Sequence, residues 1–263
     1  MVHSRPTWAS TRRPGTGEAA GIACLYPVPM SRGRIAPLAD SVLDRVGVEI
    51  VDGTIAPGKA FTLQDLTDRF DVSRTVARET MRSLEDLRLV EARPRIGIRV
   101  LPRDRWNVFS PKVISWQLRS ARHDTQLRTL TELRAAVEPM AAMHAAERAT
   151  DTQRARLVEL ADLLNELGSS GRGDQQEFLD ADIEFHTLLL EASGNDMFAS
   201  LSDAIAAVLI GRTNLGLQPA HPEDEALHRH VELARAVSAG DGAAAELHSR
   251  GLVVEVREAL KDI

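Results

Sequence analysis

The chain has 263 residues, enough for two ordinary domains, and 43% of them are hydrophobic, which excludes a protein that is disordered throughout. Aromatic residues make up only 4%, a composition that disfavours β-sandwiches and favours a mainly helical protein. The one cysteine, Cys24, cannot form an internal disulfide, and no stretch approaches the ~18 consecutive apolar residues of a membrane span. We therefore expect a cytoplasmic protein with no membrane partner.

The formal net charge of −6 is divided unevenly along the chain. Residues 1–105 hold 17 Lys and Arg against 13 Asp and Glu, whereas residues 106–263 hold 15 against 25. Residues 73–105 alone carry nine arginines and five acidic residues, a local positive excess that suits an anionic polymer such as DNA. The charge alone is equally consistent with a solvated surface. The sequence pattern around these arginines is needed to distinguish that interpretation from DNA binding.

The first 33 residues are rich in Pro, Arg, Gly, Ser and Thr and show no periodicity. This composition predicts a disordered arm, because it offers too little apolar surface to bury. The sequence leaves open whether translation starts at Met1 or at Met30, and we assign no function to the arm.

A winged helix-turn-helix is predicted over residues 34–103. Apolar residues at three- and four-residue steps indicate three helices, and Thr62 and Ser73 are suitable N-cap residues for the second and third. Two β-prone segments, 89–93 and 97–101, follow and predict a small basic hairpin. Two helices joined by a tight turn and followed by such a hairpin are typical of this DNA-binding fold.

Three arginines, Arg74, Arg78 and Arg82, recur at four-residue steps in the third predicted helix. This spacing keeps the guanidinium groups on one helix face, where they can straddle a phosphate backbone and reach guanine O6 and N7 in the major groove. Ser73 can cap the helix and also donate to a phosphate. The alternative is that the three arginines only form the solvent-exposed face of a surface helix.

The segment DVSRTVARETMRSLEDLRLVE, residues 71–91, resembles the recognition helix and wing of the GntR superfamily of bacterial transcription regulators. The resemblance extends over residues 38–101 and implies that Arg74 and Arg78 contact operator DNA, with Gly97 where the wing enters the minor groove. The DNA-binding residues predicted on this basis are Gln64, Ser73, Arg74, Thr75, Arg78, Arg82, Arg95 and Gly97.

At Gln64 the chain departs from the family, whose members often have Arg or Glu at that position. A phosphate contact is therefore either missing there or made as a neutral hydrogen bond. The expected partner is double-stranded operator DNA with two-fold symmetry. A homodimer is predicted to bind it, because one recognition helix reads only a few base pairs and symmetry doubles the contacts.

Beyond Pro102 the pattern changes to long amphipathic helices with short polar breaks and no convincing strand. We place a linker and a first connecting helix at 104–123 and a helical effector-binding and dimerisation domain at 124–263. No repeat of fixed period is present, which favours a closed bundle over a solenoid. The predicted helices lie near 111–120, 124–148, 151–168, 174–194, 196–213, 223–239 and 241–261.

Asp182 and His186 lie four residues apart and therefore on one helix face, a spacing that lets a carboxylate and an imidazole bind one metal ion. Spacing alone equally fits the wet face of an amphipathic helix. Residues 124–252 resemble the FadR-type (FCD) ligand-binding domain, which implies that both side chains point into the bundle and that His230 is a third ligand. The matching segments are 132–142 (ELRAAVEPMAA), 182–195 (DIEFHTLLLEASGN) and the helix junction after His230.

The same resemblance implies a fourth ligand, a histidine on the last helix, but here that position is Gly251 or, with less support, Leu252. His248, one turn earlier, is a candidate replacement. Three N and O ligands with open positions still suit a divalent ion, which would accept a carboxylate or hydroxyl group of an effector. The predicted cofactor is a divalent metal ion such as zinc, bound weakly or only together with the effector.

Arg134 lies on an otherwise apolar helix face, where an unpaired guanidinium would be costly to bury. It should therefore meet Glu138, another carboxylate or an anionic ligand, and the resemblance favours the ligand. Arg212 and Asn214, at the end of a later helix, are placed to supply polar groups to the same cavity. The predicted effector-binding residues are Arg134, Asp182, His186, His230, Arg212 and Asn214.

Local matches such as Val113-Ile-Ser-Trp116 resemble the galactonate-utilisation repressors within this family and imply a sugar-acid effector such as D-galactonate. Trp106 and Trp116 are predicted to pack at the domain junction and transmit the state of the sensor, with contact to a ligand as the alternative. The alternatives are a regulator of the same class that senses lactate, pyruvate or a fatty acyl group, and a metal-dependent enzyme. The sequence has no nucleophile elbow, Walker loop or dinucleotide fingerprint, so we expect no enzyme.

Overall fold

A computed structural model describes residues 35–259 of the chain, with side chains described for residues 38–254. The predicted arm, 1–33, lies outside the described residues. The predicted fold class is confirmed: a small three-stranded winged domain precedes an all-helical domain. Within the described residues, no helix has the length and apolar character needed to cross a membrane.

The N-terminal domain contains three helices and one antiparallel sheet of strand order β1-β3-β2. The predicted hairpin is present as β2 and β3, but the two-residue β1 was not predicted, because so short a strand has no periodicity of its own. Tertiary pairing creates β1, in which Phe61 lies opposite Ile98 of β3. The elements are α1 (Ile35–Val51), β1 (Ala60–Phe61), α2 (Leu63–Phe70), α3 (Arg74–Asp86), β2 (Val90–Arg93) and β3 (Gly97–Val100).

Both predicted N-caps of the helix-turn-helix are present. Thr62 accepts the backbone N–H of Asp65, whose carboxylate accepts the backbone N–H of Thr62 in return, so α2 starts with a capping box. Ser73 Oγ accepts the backbone N–H of Val76 at 3.3 Å. Between the two helices, Asp71 adopts a left-handed conformation with φ of 50°. These local contacts fix the tight turn that sets α3 against α2.

After a 3-10 turn at Arg103–Arg105, eight helices form the rest of the described chain. The prediction of one helix over 196–213 is wrong, because the chain breaks into two helices there. The backbone N–H of Leu201 donates to Phe198 O, three residues back, which tightens the last turn before the next helix begins. The helices are α4 (Pro111–Leu118), α5 (His123–Arg148), α6 (Asp151–Ser169), α7 (Gln176–Ala192), α8 (Asp196–Ala199), α9 (Ser202–Asn214), α10 (Asp224–Ala239) and α11 (Gly242–Ala259).

The short helix α4 packs on both domains. The fully buried Trp116 belongs to the core of the DNA-binding domain, and its Nε1 donates to Asp44 of α1 at 2.9 Å. A Cβ atom at Gly47 would lie 2.6 Å from the indole, so only glycine allows this close approach. On the other side, Leu118 packs against α9, where a Cβ atom at Gly211 would lie 2.3 Å from it. The prediction that Trp116 packs at the domain junction is confirmed.

Candidate DNA-binding surface and effector site

The predicted recognition helix α3 presents its arginines to solvent beside the wing. Arg74, Arg78 and Arg82 are exposed, while Val76 and Leu84 of the same helix are buried in the domain core. A concave surface lies between α2, α3 and the wing. Its charged lining residues are Arg74, Arg78 and Arg93. The helix period therefore separates a core face from a basic face, as DNA binding requires.

The three arginines of α3 differ in their contacts. Arg82 pairs with Glu79 at 3.0 Å, with both side chains about half exposed. Arg74 donates to Gln64 Oε1 at 3.3 Å, so the neutral side chain at that position holds the arginine. Arg78 has no hydrogen bond or ion pair with any residue that the structure describes. Of the three guanidinium groups, that of Arg78 is the one left open for a base edge.

Three further residues of the predicted DNA-binding set occupy different surroundings. Thr75 is exposed in the first turn of α3. Arg95 is exposed in the turn of the wing, with φ of 66°. Gly97 has φ of 101°, and a Cβ atom there would lie 2.6 Å from Phe61 O of β1. Gly97 is therefore required by strand packing, whatever it contacts on DNA.

Sequence analysis missed two residues of the wing. Arg93 is exposed and lines the concave surface, with its Nε 2.8 Å from Glu91 Oε1. Ile96 is 56% exposed in the turn of the wing, beside Arg95. The signal that could have found them is the basic, turn-rich tip itself, since an exposed apolar residue between arginines has no core to fill.

In the helical domain, the structure brings together Asp182 and His186 of α7 and His230 of α10. All three side chains are buried, and one ligand atom from each lies within 4.8 Å of the others. Asp182 Oδ1 lies 3.3 Å from His186 Nε2 and 3.6 Å from His230 Nε2. His230 Nδ1 lies 2.8 Å from the carbonyl of Ala226, so it is the donor nitrogen of that ring.

The donor set fits a divalent cation. Because His230 donates through Nδ1, the lone pair of the neutral ring is on Nε2, and this atom is buried without a hydrogen-bond partner in the structure. A buried acceptor nitrogen that faces a carboxylate oxygen requires a positive charge or a proton between them. The nearby His228 is exposed on α10 and is not a member of the cluster.

Within the part of the chain that the structure describes, the cluster has three members, and His248 is not one of them. At the position of the family's fourth ligand, a Cβ atom on Gly251 would lie 2.2 Å from Arg229 Nη1, so the arginine takes that space. Leu252 lines the adjacent cavity with an apolar side chain. Neither Gly251 nor Leu252 has a side-chain donor atom for a metal ion.

Arg134 and Glu138 form a buried ion pair on α5, with 2% and 1% of each residue exposed. Arg134 Nε lies 2.5 Å from Glu138 Oε1, and Nη2 lies 3.2 Å from Oε2. The other terminal nitrogen, Nη1, is buried without a hydrogen-bond partner. One edge of the guanidinium thus contacts Glu138, which was one of the partners expected from the sequence. Nη1 remains available for an anion.

Ionisation in this network follows from the contacts. Burial raises the pKa of Glu138, but Arg134 and His186 outweigh it and lower the pKa to about 2. Burial lowers the pKa of His186, yet the Glu138 carboxylate outweighs it and the pKa is raised. Burial and then repulsion from Arg134 lower the pKa of Arg212 to about 10. The site therefore holds Glu138 as a carboxylate and Arg212 as a cation at neutral pH.

These side chains border one cavity of about 170 Å³. Arg134, Asp182, His186, Arg212 and His230 form much of its polar wall. The side chain of Arg212 has no hydrogen bond or ion pair among the described residues, and its charge is therefore open to a ligand. The apolar lining residues are Phe178, Leu209, Leu217, Pro219, Pro222, Ala226, Leu227 and Leu252.

The structure does not bring Asn214 to this cavity. Asn214 is exposed at the end of α9, where the chain reverses through Gly216 with φ of 70°. The backbone N–H of Leu217 donates to Arg212 O at 3.0 Å, and this turn brings the following residues back over the cavity. Gln218 lines the cavity and was missed, because the direction of a helix-terminal turn depends on backbone geometry that sequence spacing does not show.

A basic winged helix-turn-helix joined to a helical domain with a buried polar cavity is the architecture of a DNA-binding transcription regulator. Models of known families match both parts: "Bacterial regulatory proteins, gntR family" over residues 38–100 and "FCD domain" over residues 129–254. The chain belongs to the GntR family of bacterial regulatory proteins.

Curated relatives are transcription regulators and not enzymes. The galactonate operon transcriptional repressor of Escherichia coli (strain K12) is 32% identical over 228 residues, covering 85% of this chain and 97% of the relative. The transcriptional regulator LutR of Bacillus subtilis (strain 168) is 29% identical over 217 residues, covering 80% and 95%. The solved structure of Lar, which controls the Listeria monocytogenes agr system, has a TM-score of 0.59 at 14% identity, covers 89% and 99%, and shows the shared fold.

Proposed function

We propose that the protein is a cytoplasmic repressor that binds a two-fold symmetric operator as a homodimer and releases it when a sugar acid such as D-galactonate occupies the helical domain. The observation that carries this proposal is the buried cavity in which Arg134 Nη1 and Arg212 lack protein partners beside three potential metal ligands. Arg134 Nη1 is buried and the Arg212 side chain is half-buried, so an anion in the cavity would stabilise both charges. The galactonate repressor among the relatives supports the choice of a sugar acid.

The size of the cavity supports a small effector. A water molecule takes about 30 Å³ of liquid, so 170 Å³ holds roughly five or six waters and is below the ~300 Å³ typical of drug-sized ligands. This volume favours a small effector over a long fatty acyl chain. A compact carboxylate with several hydroxyl groups matches both the volume and the density of polar groups on the wall.

We propose a divalent cation such as zinc as the cofactor, held by Asp182, His186 and His230. When bound, the ion supplies open coordination positions for a carboxylate or hydroxyl oxygen of the effector. Three protein ligands from two helices make a weaker site than four, so binding of the ion is strengthened by the effector. The carboxylate of Asp182 and the two Nε2 atoms supply the donor set that this requires.

On DNA, Arg78 is proposed to contact a base edge, with Arg74 and Arg82 on phosphates. The support is that Arg78 has no described partner, whereas Arg82 is paired with Glu79 and Arg74 contacts Gln64. The predicted contacts of Ser73, Thr75, Arg95 and Gly97 with phosphate and the minor groove belong to the same proposal. Arg93 joins this set because it lines the same concave surface.

The packing of α4 offers a route between the two domains. Arg212 lines the cavity, and its neighbour Gly211 packs against Leu118 of α4. The indole of Trp116, also on α4, is packed against α1 of the DNA-binding domain. An effector that draws Arg212 inward therefore shifts α9 against α4. Only a difference in effector affinity between two domain arrangements changes DNA affinity, typically by 1–3 kcal/mol per site.

The experiment that tests this proposal is a gel-shift assay on the DNA upstream of the protein's own gene. D-galactonate and D-gluconate are titrated against L-lactate and pyruvate. Release by a sugar acid at concentrations that leave the other compounds inactive is the expected result. Release by lactate or pyruvate alone would replace the sugar acid with another small carboxylate, and binding without release by any of them would contradict the proposed sensor.

A further inference from the structure

Glu138 contacts both parts of the proposed effector site. It lies one turn after Arg134 on α5 and is 1% exposed. Both its oxygens contact Arg134, and Oε2 also lies 3.0 Å from His186 Nδ1. One carboxylate therefore joins a residue of the proposed anion site to a residue of the proposed cation site.

The contact with Glu138 decides which nitrogen of His186 faces the cluster. An ionised carboxylate only accepts hydrogen bonds, so Nδ1 has to be the donor. The lone pair of the neutral ring is then on Nε2, which lies 3.3 Å from Asp182 Oδ1. Arg134 Nη2, which can only donate, lies 3.1 Å from Nε2 and 3.5 Å from Nδ1, and the shorter contact agrees with that assignment; a cation at Nε2 would replace this donor. His230 is oriented in the same way by the carbonyl of Ala226.

The contact with Glu138 also fixes which nitrogen of Arg134 remains available. Nε and Nη2 are taken by the carboxylate, and Nη1 is the buried nitrogen without a partner. Pairing with Glu138 therefore fixes the guanidinium in place and leaves Nη1 for an anion.

We infer that Glu138 is a positioning residue that links cation and anion binding. Its carboxylate holds His186 with Nε2 toward Asp182 and His230, and holds Arg134 with Nη1 left for an effector carboxylate. This inference rests on the proposed function, because it presupposes both a cation and a small anion in the cavity. A carboxylate behind a metal-binding histidine commonly contributes ten- to a hundredfold to metal affinity.

The test compares Glu138→Gln with Arg134→Met and with Glu132→Gln, an exposed control on the same helix. A carboxamide oxygen at the Oε2 position can still accept from Arg134 Nη2 and His186 Nδ1, but the NH₂ group then faces Arg134 Nε and the negative charge behind His186 is lost. The probes are Co²⁺, followed by visible absorption in competition with a chelator, and D-galactonate, followed by calorimetry with EDTA present. Far-UV circular dichroism and operator binding show which variants are folded.

We expect Glu138→Gln to bind Co²⁺ about ten- to a hundredfold more weakly and to lose D-galactonate affinity as well. Arg134→Met should lose D-galactonate affinity and keep its Co²⁺ affinity, since Glu138 still holds His186. Glu132→Gln should match the wild type in both. If Glu138→Gln does not fold, the apolar pair Arg134→Met/Glu138→Leu replaces it and should bind Co²⁺ more weakly than Arg134→Met alone.

Wild-type Co²⁺ affinity in Glu138→Gln would overturn the inference. Equal losses of Co²⁺ affinity in Arg134→Met and Glu138→Gln would also overturn it, because a purely structural ion pair predicts that result. Failure of the proposed cation site has a different signature: Asp182→Asn would then bind Co²⁺ as well as the wild type. A wild-type protein that binds no Co²⁺, with or without D-galactonate, contradicts both the proposed cation site and the inferred role of Glu138.

Discussion

The two halves of the molecule use arginine in opposite ways. Arg74, Arg78 and Arg82 stand exposed on one face of α3, whereas Arg134 is 2% exposed and paired with Glu138. An exposed guanidinium keeps its hydration and can exchange water for phosphate at small cost. A buried one is fixed in place and depends on its partner for stability. The first arrangement suits a long polyanion, and the second suits one small anion of defined shape.

Because of this difference, we expect changes at exposed arginines to affect binding and changes in the buried network to affect stability as well. A change to an exposed arginine of α3 removes a proposed DNA contact and leaves the core intact. A change within the buried network affects folding as well as ligand binding, because Arg134, Glu138 and His186 share contacts. Variants of the two regions should therefore differ in their effects on stability and on binding.

The largest effect is expected for Glu138→Ala, which leaves the Arg134 charge buried without its main partner. Removing one member of a buried pair typically costs about 3–5 kcal/mol in the free energy of unfolding. Urea denaturation measures it, with the exposed change Arg78→Ala as the control, expected within about 0.5 kcal/mol of wild type. A loss of about 1 kcal/mol or less for Glu138→Ala would place the pair with ordinary surface ion pairs.

Gly47→Val tests the junction between the regions. The new side chain would meet the Trp116 indole, and such overpacking costs about 1–3 kcal/mol in unfolding free energy. Ser41→Val, on an exposed position of the same helix, controls for the helix propensity of valine. We expect Gly47→Val to bind the operator but respond poorly to D-galactonate. If Gly47→Val had the same stability and the same response to D-galactonate as the wild type, α4 would not be the connection between the two domains.

Arg78→Ala is expected to weaken operator binding by about 1–3 kcal/mol and to relax the preference for one base pair. The reason is that this guanidinium has no described partner and lines the concave surface beside the wing. Fluorescence anisotropy on operators with single base changes measures both effects. A loss that is the same for every operator sequence would assign Arg78 to the phosphates.

Arg82→Ala should have the smallest effect. Its guanidinium is already paired with Glu79, so a phosphate contact adds little beyond the release of counterions. Binding to all DNA sequences should weaken alike, and the slope of log affinity against log salt should fall by about one. A changed base preference in this variant would contradict the assignment to phosphate.

The contrast between the exposed face of α3 and the buried cluster also explains which features could be predicted from the sequence. The face of α3 and the N-caps Thr62 and Ser73 follow from helix periodicity and local hydrogen bonds, so they were predictable. Asp182 and His186 share one helix, but only tertiary packing brings His230 to them. The contact between Glu138 and His186 spans two helices, and no spacing rule shows it.

Two local errors have the same origin. The break between α8 and α9 depends on a tightened turn at Leu201, in a stretch whose apolar residues continue without a glycine or proline. Asn214 was assigned to the cavity by its nearness to Arg212, yet the helix ends there and the chain turns so that Gln218 lines the cavity. Whether a residue near a helix end faces a cavity depends on the direction in which the chain leaves the helix. Spacing along the sequence does not predict that direction.

The most direct test of an effector held by the buried arginine is the release of operator DNA by D-galactonate in wild type and in Arg134→Met, followed by fluorescence anisotropy. The wild type should release the operator, and Arg134→Met should bind the operator with wild-type affinity but stay bound as D-galactonate is added. His186→Ala should release it only at higher D-galactonate concentrations. Release of Arg134→Met at wild-type concentrations would contradict the proposed carboxylate contact and leave Arg134 as the structural partner of Glu138 alone.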